Sequence, residues 1–283
     1  MSLLIRISFS CLGLILLASC STDADSSADL IDKPIGSSKA IAVYNAAYNE
    51  NYDPDQLDYI LLNANKAYVL LDPFEDKASE AVASLKANGN EVGAYISIGT
   101  GEDWRADFSA LKPYLAKQQW GEWPGEYFVD NTTTGVLDVM KARIDQIAVW
   151  GFDWVEFDNM DWALYDEVRE DYKLNVTKAE GIAYFQELCD YVHQKGMKCM
   201  SKNVVEAAGN FDGVTYESYS DEKNWWDESG TQAFLAAGKL MIIVHYNESQ
   251  CNQVYSDYKN IYNTDVCFIC EDALLRKYVH YNE

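Results

Sequence analysis

Residues 151–161 read Gly-Phe-Asp-Trp-Val-Glu-Phe-Asp-Asn-Met-Asp, an apolar run that ends in a burst of carboxylates. If residues 154–158 form a strand, Trp154, Glu156 and Asp158 share one face while Val155 and Phe157 share the other. Both faces of a parallel sheet are covered, so an acid on the inner face must be paired or must stand at the open end of its strand. Asp158 stands at that end, with Asn159 and Asp161 just beyond it, where barrel enzymes keep their chemistry. The competing reading of these residue types is a helix N-terminus, because Asp and Asn are good caps.

The elements that would position such a site follow from the rest of the pattern. Short β-rich runs at residues 40–44, 68–71, 91–97, 127–130, 154–158, 197–202, 213–217 and 240–245 alternate with amphipathic stretches, as in an α/β fold with a parallel sheet. Leu137, Met140, Ile144 and Ile147 recur on one helical face, as do Ile182, Phe185, Cys189 and Val192. Thr177 with Glu180 makes a capping box, and Gly196 supplies a left-handed stop. Eight strands with helices between them predict a single-domain TIM-type (β/α)8 barrel with its active site at the carboxyl ends of the strands. An open doubly wound sheet is the rival, but no Gly-rich phosphate loop follows the first strand. A further short strand at 265–269 has no place in this count.

Ionisable and polar residues gather at those strand ends: Asp72, then Tyr95 and Ser97 with Glu102 in the following loop, Asp130, Asp158, Lys202 with Asn203, Glu217 and His245. Carboxylates around one lysine suit glycoside hydrolysis, in which one carboxyl acts as acid and another as base or nucleophile. Asp158 and Glu217 are the expected pair, because their strands are not adjacent and can face each other across the mouth. Lys202 would hold a neighbouring acid ionised; the alternative is a structural ion pair with Glu156. Trp104, Trp123, Trp162, Trp225 and Trp226 fall in loops after strands, where flat rings could stack on sugars or serve as loop packing. Cys267 and Cys270 have CxxC spacing without a second such pair, and His193, His245 and His280 are scattered, so neither a metal site nor a cofactor is expected.

The ends of the chain bound its setting. Residues 1–19 form a secretory signal, and Leu17-Ala-Ser-Cys20 resembles the lipobox of bacterial lipoproteins, which implies cleavage before a lipidated Cys20; a simple signal cut near Ala18 is the alternative. Residues 20–38 are rich in Ser, Asp and Ala and read as a tether, leaving residues 39–283 as the folded domain. The expected location is the bacterial cell envelope, periplasmic or surface-facing, with the membrane touched only through the lipid. A net charge of −23 disfavours nucleic acid and anionic membranes and favours cationic ligands. Of seven cysteines, Cys189, Cys199, Cys251, Cys267 and Cys270 remain in the domain, an odd set that leaves at least one thiol free. A monomer is expected.

Taken together, Tyr95-Ile-Ser-Ile-Gly99 with Glu102-Asp-Trp-Arg105, Trp123-Pro-Gly-Glu126 with Asp130, Val155-Glu156, Asp158-Asn159 with Asp161, Lys202-Asn203, and Phe211-Asp212 leading to Glu217 resemble glycoside hydrolase family 114. The resemblance implies a TIM barrel that hydrolyses an α-1,4-linked, galactosamine-containing polysaccharide of biofilm matrix, a polymer that free amines make cationic. It also implies Asp158 and Glu217 as the acidic pair, with Asp72 and Lys202 among the polar groups of the cleft. The chain departs from the family at Trp154, where Gly is usual, at Phe157, where Pro is usual, and in the residues around Glu217 and His245. A non-catalytic glycan-binding lipoprotein on the same barrel is the other function this pattern allows.

Overall fold

The computed structural model describes residues 41–48, 53–204, 209–218, 228–246, 250–262, 266–271 and 278–280. Cys20, Trp225 and Trp226 lie outside them. The strands are β1 (Val43–Asn45), β2 (Tyr68–Leu71), β3 (Glu91–Ser97), β4 (Thr100–Glu102), β5 (Glu126–Phe128), β6 (Trp154–Asp158), β7 (Lys198–Lys202), β8 (Gly213–Ser218), β9 (Leu240–His245), β10 (Cys267–Glu271) and β11 (Tyr278–His280). Eight of them pair in parallel in the order β1-β2-β3-β6-β7-β8-β9-β10, and β11 adds antiparallel to β10. Across the remaining seam the Ile41 N–H meets the Cys267 sulfur at 3.3 Å, so the (β/α)8 barrel is nearly closed.

Two strand expectations change. Residues 127–130 do not enter the barrel; β5 instead pairs antiparallel with β4, a two-stranded hairpin beside the mouth. The unplaced segment near 265–269 is the eighth barrel strand, β10, parallel to β9. Both segments carry the same short extended pattern, and only long-range pairing separates a hairpin strand from a barrel strand.

The helices that cover the barrel obey the sequence periodicity. On α1 (Thr134–Trp150), Met140, Ile144 and Ile147 are fully buried, with Leu137 at the margin. On α2 (Lys178–Gln194), Phe185, Cys189 and Val192 face the sheet. The Thr177 hydroxyl caps the Glu180 N–H while the Glu180 carboxylate accepts from the Thr177 N–H. Gly196 follows the helix at φ +79°, a conformation that glycine adopts without a Cβ penalty. A disulfide between Cys251 and Cys270 ties the last helix, Cys251–Tyr262, to β10, whereas Cys189, Cys199 and Cys267 are buried free thiols.

Inside the barrel, parity decides the filling. Tyr68, Leu70, Trp154, Met200, Leu240, Ile242, Val244 and Ile269 form an inner cluster separate from the larger one between sheet and helices. Gly93, opposite Trp154 on β3, leaves the space that the Tyr68 ring takes, and a Cβ on Gly213 would come within 3.2 Å of the Trp154 ring. Tyr68 meets it edge-on at 5.9 Å between ring centres, so the two rings floor the barrel beneath the carboxylates. Burial of each such ring contributes on the order of 2–3 kcal/mol.

Candidate active site

The inner parity that places Trp154 at the floor places Glu156 and Asp158 above it on β6, Lys202 on β7, and Thr215 and Glu217 on β8. Each of the first two strands ends in a charged residue followed by an Asn at positive φ: Asn159 at +57° after Asp158, and Asn203 at +62° after Lys202. Asn tolerates this left-handed conformation better than most residues, and the turn it makes bends the chain outward at the mouth. Both asparagines then hold carboxylates. The Asn159 N–H donates to Asp158 Oδ1 at 2.7 Å. Asn203 Nδ2 donates to Glu217 Oε2 at 2.8 Å, and Asn203 Oδ1 accepts from the Glu217 N–H at 2.9 Å.

Lys202 is the centre of the arrangement. Its ammonium lies 3.1 Å from Asp158 Oδ2 and 3.2 Å from Glu217 Oε1. Two oxygens on one nitrogen are at most roughly 6 Å apart, so the carboxyls face each other across that lysine. The Tyr48 ring centre is 4.1 Å from the same ammonium, and Tyr95 Oη donates to Asp158 Oδ2 at 2.7 Å. Tyr246 Oη donates to Glu217 Oε1 at 2.6 Å. Burial would push the Glu217 carboxyl up, but the Lys202 charge and the hydrogen bonds from Tyr246, Asn203 and Lys202 outweigh it and hold the group below its ordinary value.

Beneath this layer the Glu156 carboxylate is completely buried and accepts from Tyr48 Oη and Thr215 Oγ1. Burial pushes it up to about 7 against the downward pull of Lys202 and of its two donors. Lys202 therefore pairs with Asp158 and Glu217, one layer above Glu156. The Tyr48 and Tyr95 hydroxyls are pushed well above the usual phenol value, first by burial and then by the carboxylates they face, so both remain donors.

The β4–β5 hairpin brings a further carboxylate that sequence reading did not select. Glu126 Oε2 accepts from Thr100 Oγ1 at 2.5 Å and from Asn159 Nδ2 at 3.2 Å, and burial raises this carboxyl to about 7. Trp104 and Trp123 belong to the same hairpin and are 53% and 40% exposed, enough open ring for a ligand to stack on. Asp72 and Glu102 are buried and committed to the Arg105 guanidinium, which donates to both; the cluster clamps the loop after β3 to the end of β2.

The remaining expected residues are placed elsewhere. Asp130, just beyond the hairpin, accepts from the Asn175 backbone N–H and Nδ2. His245 shares the parity of Met241 and Ile243, so it faces the helix layer, bonds Ser218 Oγ at 3.0 Å and stacks on Phe268 rather than lining the mouth. Trp162 is fully buried, and its ring would collide with any Cβ on Gly99, so it is a packing residue and not a sugar platform. Asp161 begins a 3-10 turn, Asp161–Ala163, and its side chain is outside the described ones. Besides Glu126, sequence reading missed Tyr48 and Tyr246 as ligands of the charged cluster. A tyrosine just beyond a strand end was their one signal, and it is indistinct among 20 tyrosines.

The model of glycoside-hydrolase family GH114 matches residues 39–281. No curated protein matches the chain. Among solved structures, Ega3 from Aspergillus fumigatus in complex with galactosamine superposes with a TM-score of 0.70 at 19% identity, over 86% of this chain and 96% of that one. The glycoside hydrolase domain of PelA from Pseudomonas aeruginosa gives 0.63 at 16% identity, over 86% and 98%. At these identities the likeness is one of fold.

Proposed function

The chain belongs to glycoside hydrolase family GH114 and is a glycosidase; on that premise we propose that it cleaves an α-1,4-linked, galactosamine-containing polysaccharide with Asp158 and Glu217 as its working carboxyls. The observation that carries the assignment is the shared lysine. One ammonium between two carboxylates lets one stay ionised while the other, released from Lys202 as a sugar enters, takes the proton that general acid catalysis needs. The facing oxygens, both bonded to one ammonium, are close enough for the ~5–9.5 Å separations at which paired carboxyls hydrolyse a glycosidic bond. The galactosamine in the Ega3 structure supports the sugar class, and an acidic mouth on an acidic chain suits a polymer with free amines.

The exposed rings of Trp104 and Trp123 supply stacking surface along the hairpin side of the cleft. Lipidation of Cys20 would tether the enzyme to the cell envelope through residues 20–38, as a monomer acting on matrix polymer outside the membrane. The test is oligosaccharide release from partially de-N-acetylated α-1,4-galactosaminoglycan, followed by mass spectrometry, with the anomer first formed read by proton NMR. Wild type should release oligomers, the anomer first formed distinguishing retention from inversion, while Asp158→Asn and Glu217→Gln lose more than about 10³ in kcat with melting temperatures near wild type. Equal release by either variant overturns the pair.

A further inference from the structure

The Asp158 carboxyl is held by donors from three directions: Tyr95 on β3, Lys202 on β7 and the main chain of Asn159. The first two are side-chain donors from the strands on either side of β6. The third depends on a backbone turn that few residues adopt, so whatever fixes Asn159 also fixes Asp158.

Asn159 is fixed from both ends. Its side-chain Nδ2 reaches Ser97 Oγ at 2.9 Å, Thr100 Oγ1 at 3.1 Å and Glu126 Oε2 at 3.2 Å, all inside a buried pocket. Its carbonyl packs so closely on Gly99 that a Cβ there would lie 1.7 Å from the oxygen. Glu126 comes from β5, outside the barrel, and the Gly125 beside it lies against the Trp104 ring. One continuous set of contacts therefore runs from the exposed aromatic hairpin to the carboxylate at the barrel mouth.

We infer that Asn159 is a positioning residue for the Asp158 carboxyl, and that Glu126 is the anchor through which the β4–β5 hairpin holds it. The inference rests on the reading of Asp158 as a working carboxyl. Asn159 donates to a carboxyl that acts on substrate and does not itself reach the reacting atoms. Displacement of such a carboxyl by about 1 Å reduces turnover by on the order of 10²-fold while ground-state binding is retained.

The test uses the full chain carrying Asn159→Gly, Glu126→Ala or Glu126→Gln. Glycine keeps the left-handed turn free of strain and removes only the side-chain anchor, so Asn159→Gly should lower kcat on de-N-acetylated galactosaminoglycan at least tenfold with KM within threefold. Glu126→Ala should lower kcat in the same way, and Glu126→Gln, which keeps an acceptor oxygen, should recover most of that loss. The double variant Asn159→Gly with Glu126→Ala should fall no further than Asn159→Gly alone. A loss below threefold in Asn159→Gly, no recovery by Gln, or multiplicative losses in the double variant would overturn the inference. A crystal structure of Asn159→Gly gives a readout that needs no substrate: the Asp158 carboxyl should leave its contacts with Asn159 N and Tyr95 Oη. If the carboxyl stays in place, the positioning role is wrong. If it moves while wild type releases no oligosaccharide, the positioning role stands and the substrate assignment fails. Should Asn159→Gly not fold, the Ala and Gln variants at Glu126 decide by the same two readouts.

Discussion

Replacing Lys202 by methionine removes the ammonium that lies against both Asp158 and Glu217 while keeping the length and apolar character of the stem. Two carboxylates roughly 6 Å apart repel by about 3 kcal/mol at an effective dielectric of ~20, and they also lose their attraction to the lysine. Breaking a buried ion pair by removing one partner destabilises by about 3–5 kcal/mol. The sign depends on pH. In wild type the Glu217 carboxyl sits below its unfolded value, so it contributes stability above about pH 4.3 that is lost as pH falls through the folded value. Without Lys202 the carboxyl sits above its unfolded value and opposes folding at neutral pH. Urea unfolding should therefore show Lys202→Met less stable by about 3–5 kcal/mol at pH 7.5, with most of that difference gone at pH 4. The acid limb of kcat/KM should move up by about 2 pH units, since 3 kcal/mol corresponds to roughly that change. A stability loss of equal size at both pH values, or an unmoved acid limb, would refute the idea that the lysine acts by holding Glu217 ionised.

Three further outcomes follow from the same geometry. Glu156 is pushed up to about 7, so its contribution to stability should decline as pH rises from about 4.3 to 7; Glu156→Gln should remove that contribution and be more stable than wild type by on the order of 2 kcal/mol at pH 8, with no advantage at pH 4, as measured by urea denaturation. Replacing both Cys251 and Cys270 by serine opens a cross-link between residues 19 apart and should lower unfolding free energy by about 3 kcal/mol without changing the far-ultraviolet spectrum. Trp104→Ala and Trp123→Ala should each raise KM about fivefold, the equivalent of ~1 kcal/mol of stacking, with kcat within twofold; a fall in kcat at constant KM would place those rings outside the binding cleft.

The sequence by itself determined which side chains share a face. Period-two alternation put Trp154, Glu156 and Asp158 on one side of one strand, and the helical spacing of Met140, Ile144 and Ile147 marked the covering layer. The charged strand ends Asp158, Lys202 and Glu217 were legible for the same reason, and the structure brings them within hydrogen-bonding distance of one ammonium. Alternation is a local property, however, and does not say which strand lies beside which. Only tertiary pairing placed residues 126–128 in a hairpin and residues 267–271 in the barrel, because both segments look alike until their partners are known. His245 stands at a strand end, yet its parity turns it outward onto Phe268; Trp162 follows a strand, yet Gly99 leaves room for it in the core. Lys202 had been equally compatible with Glu156 one layer down. The choice of Asp158 and Glu217 comes from strand stagger, which sets heights along the barrel axis that no single segment encodes. Glu126 reaches Asn159 across 33 residues of chain, and nothing in the local pattern of either residue specifies that contact.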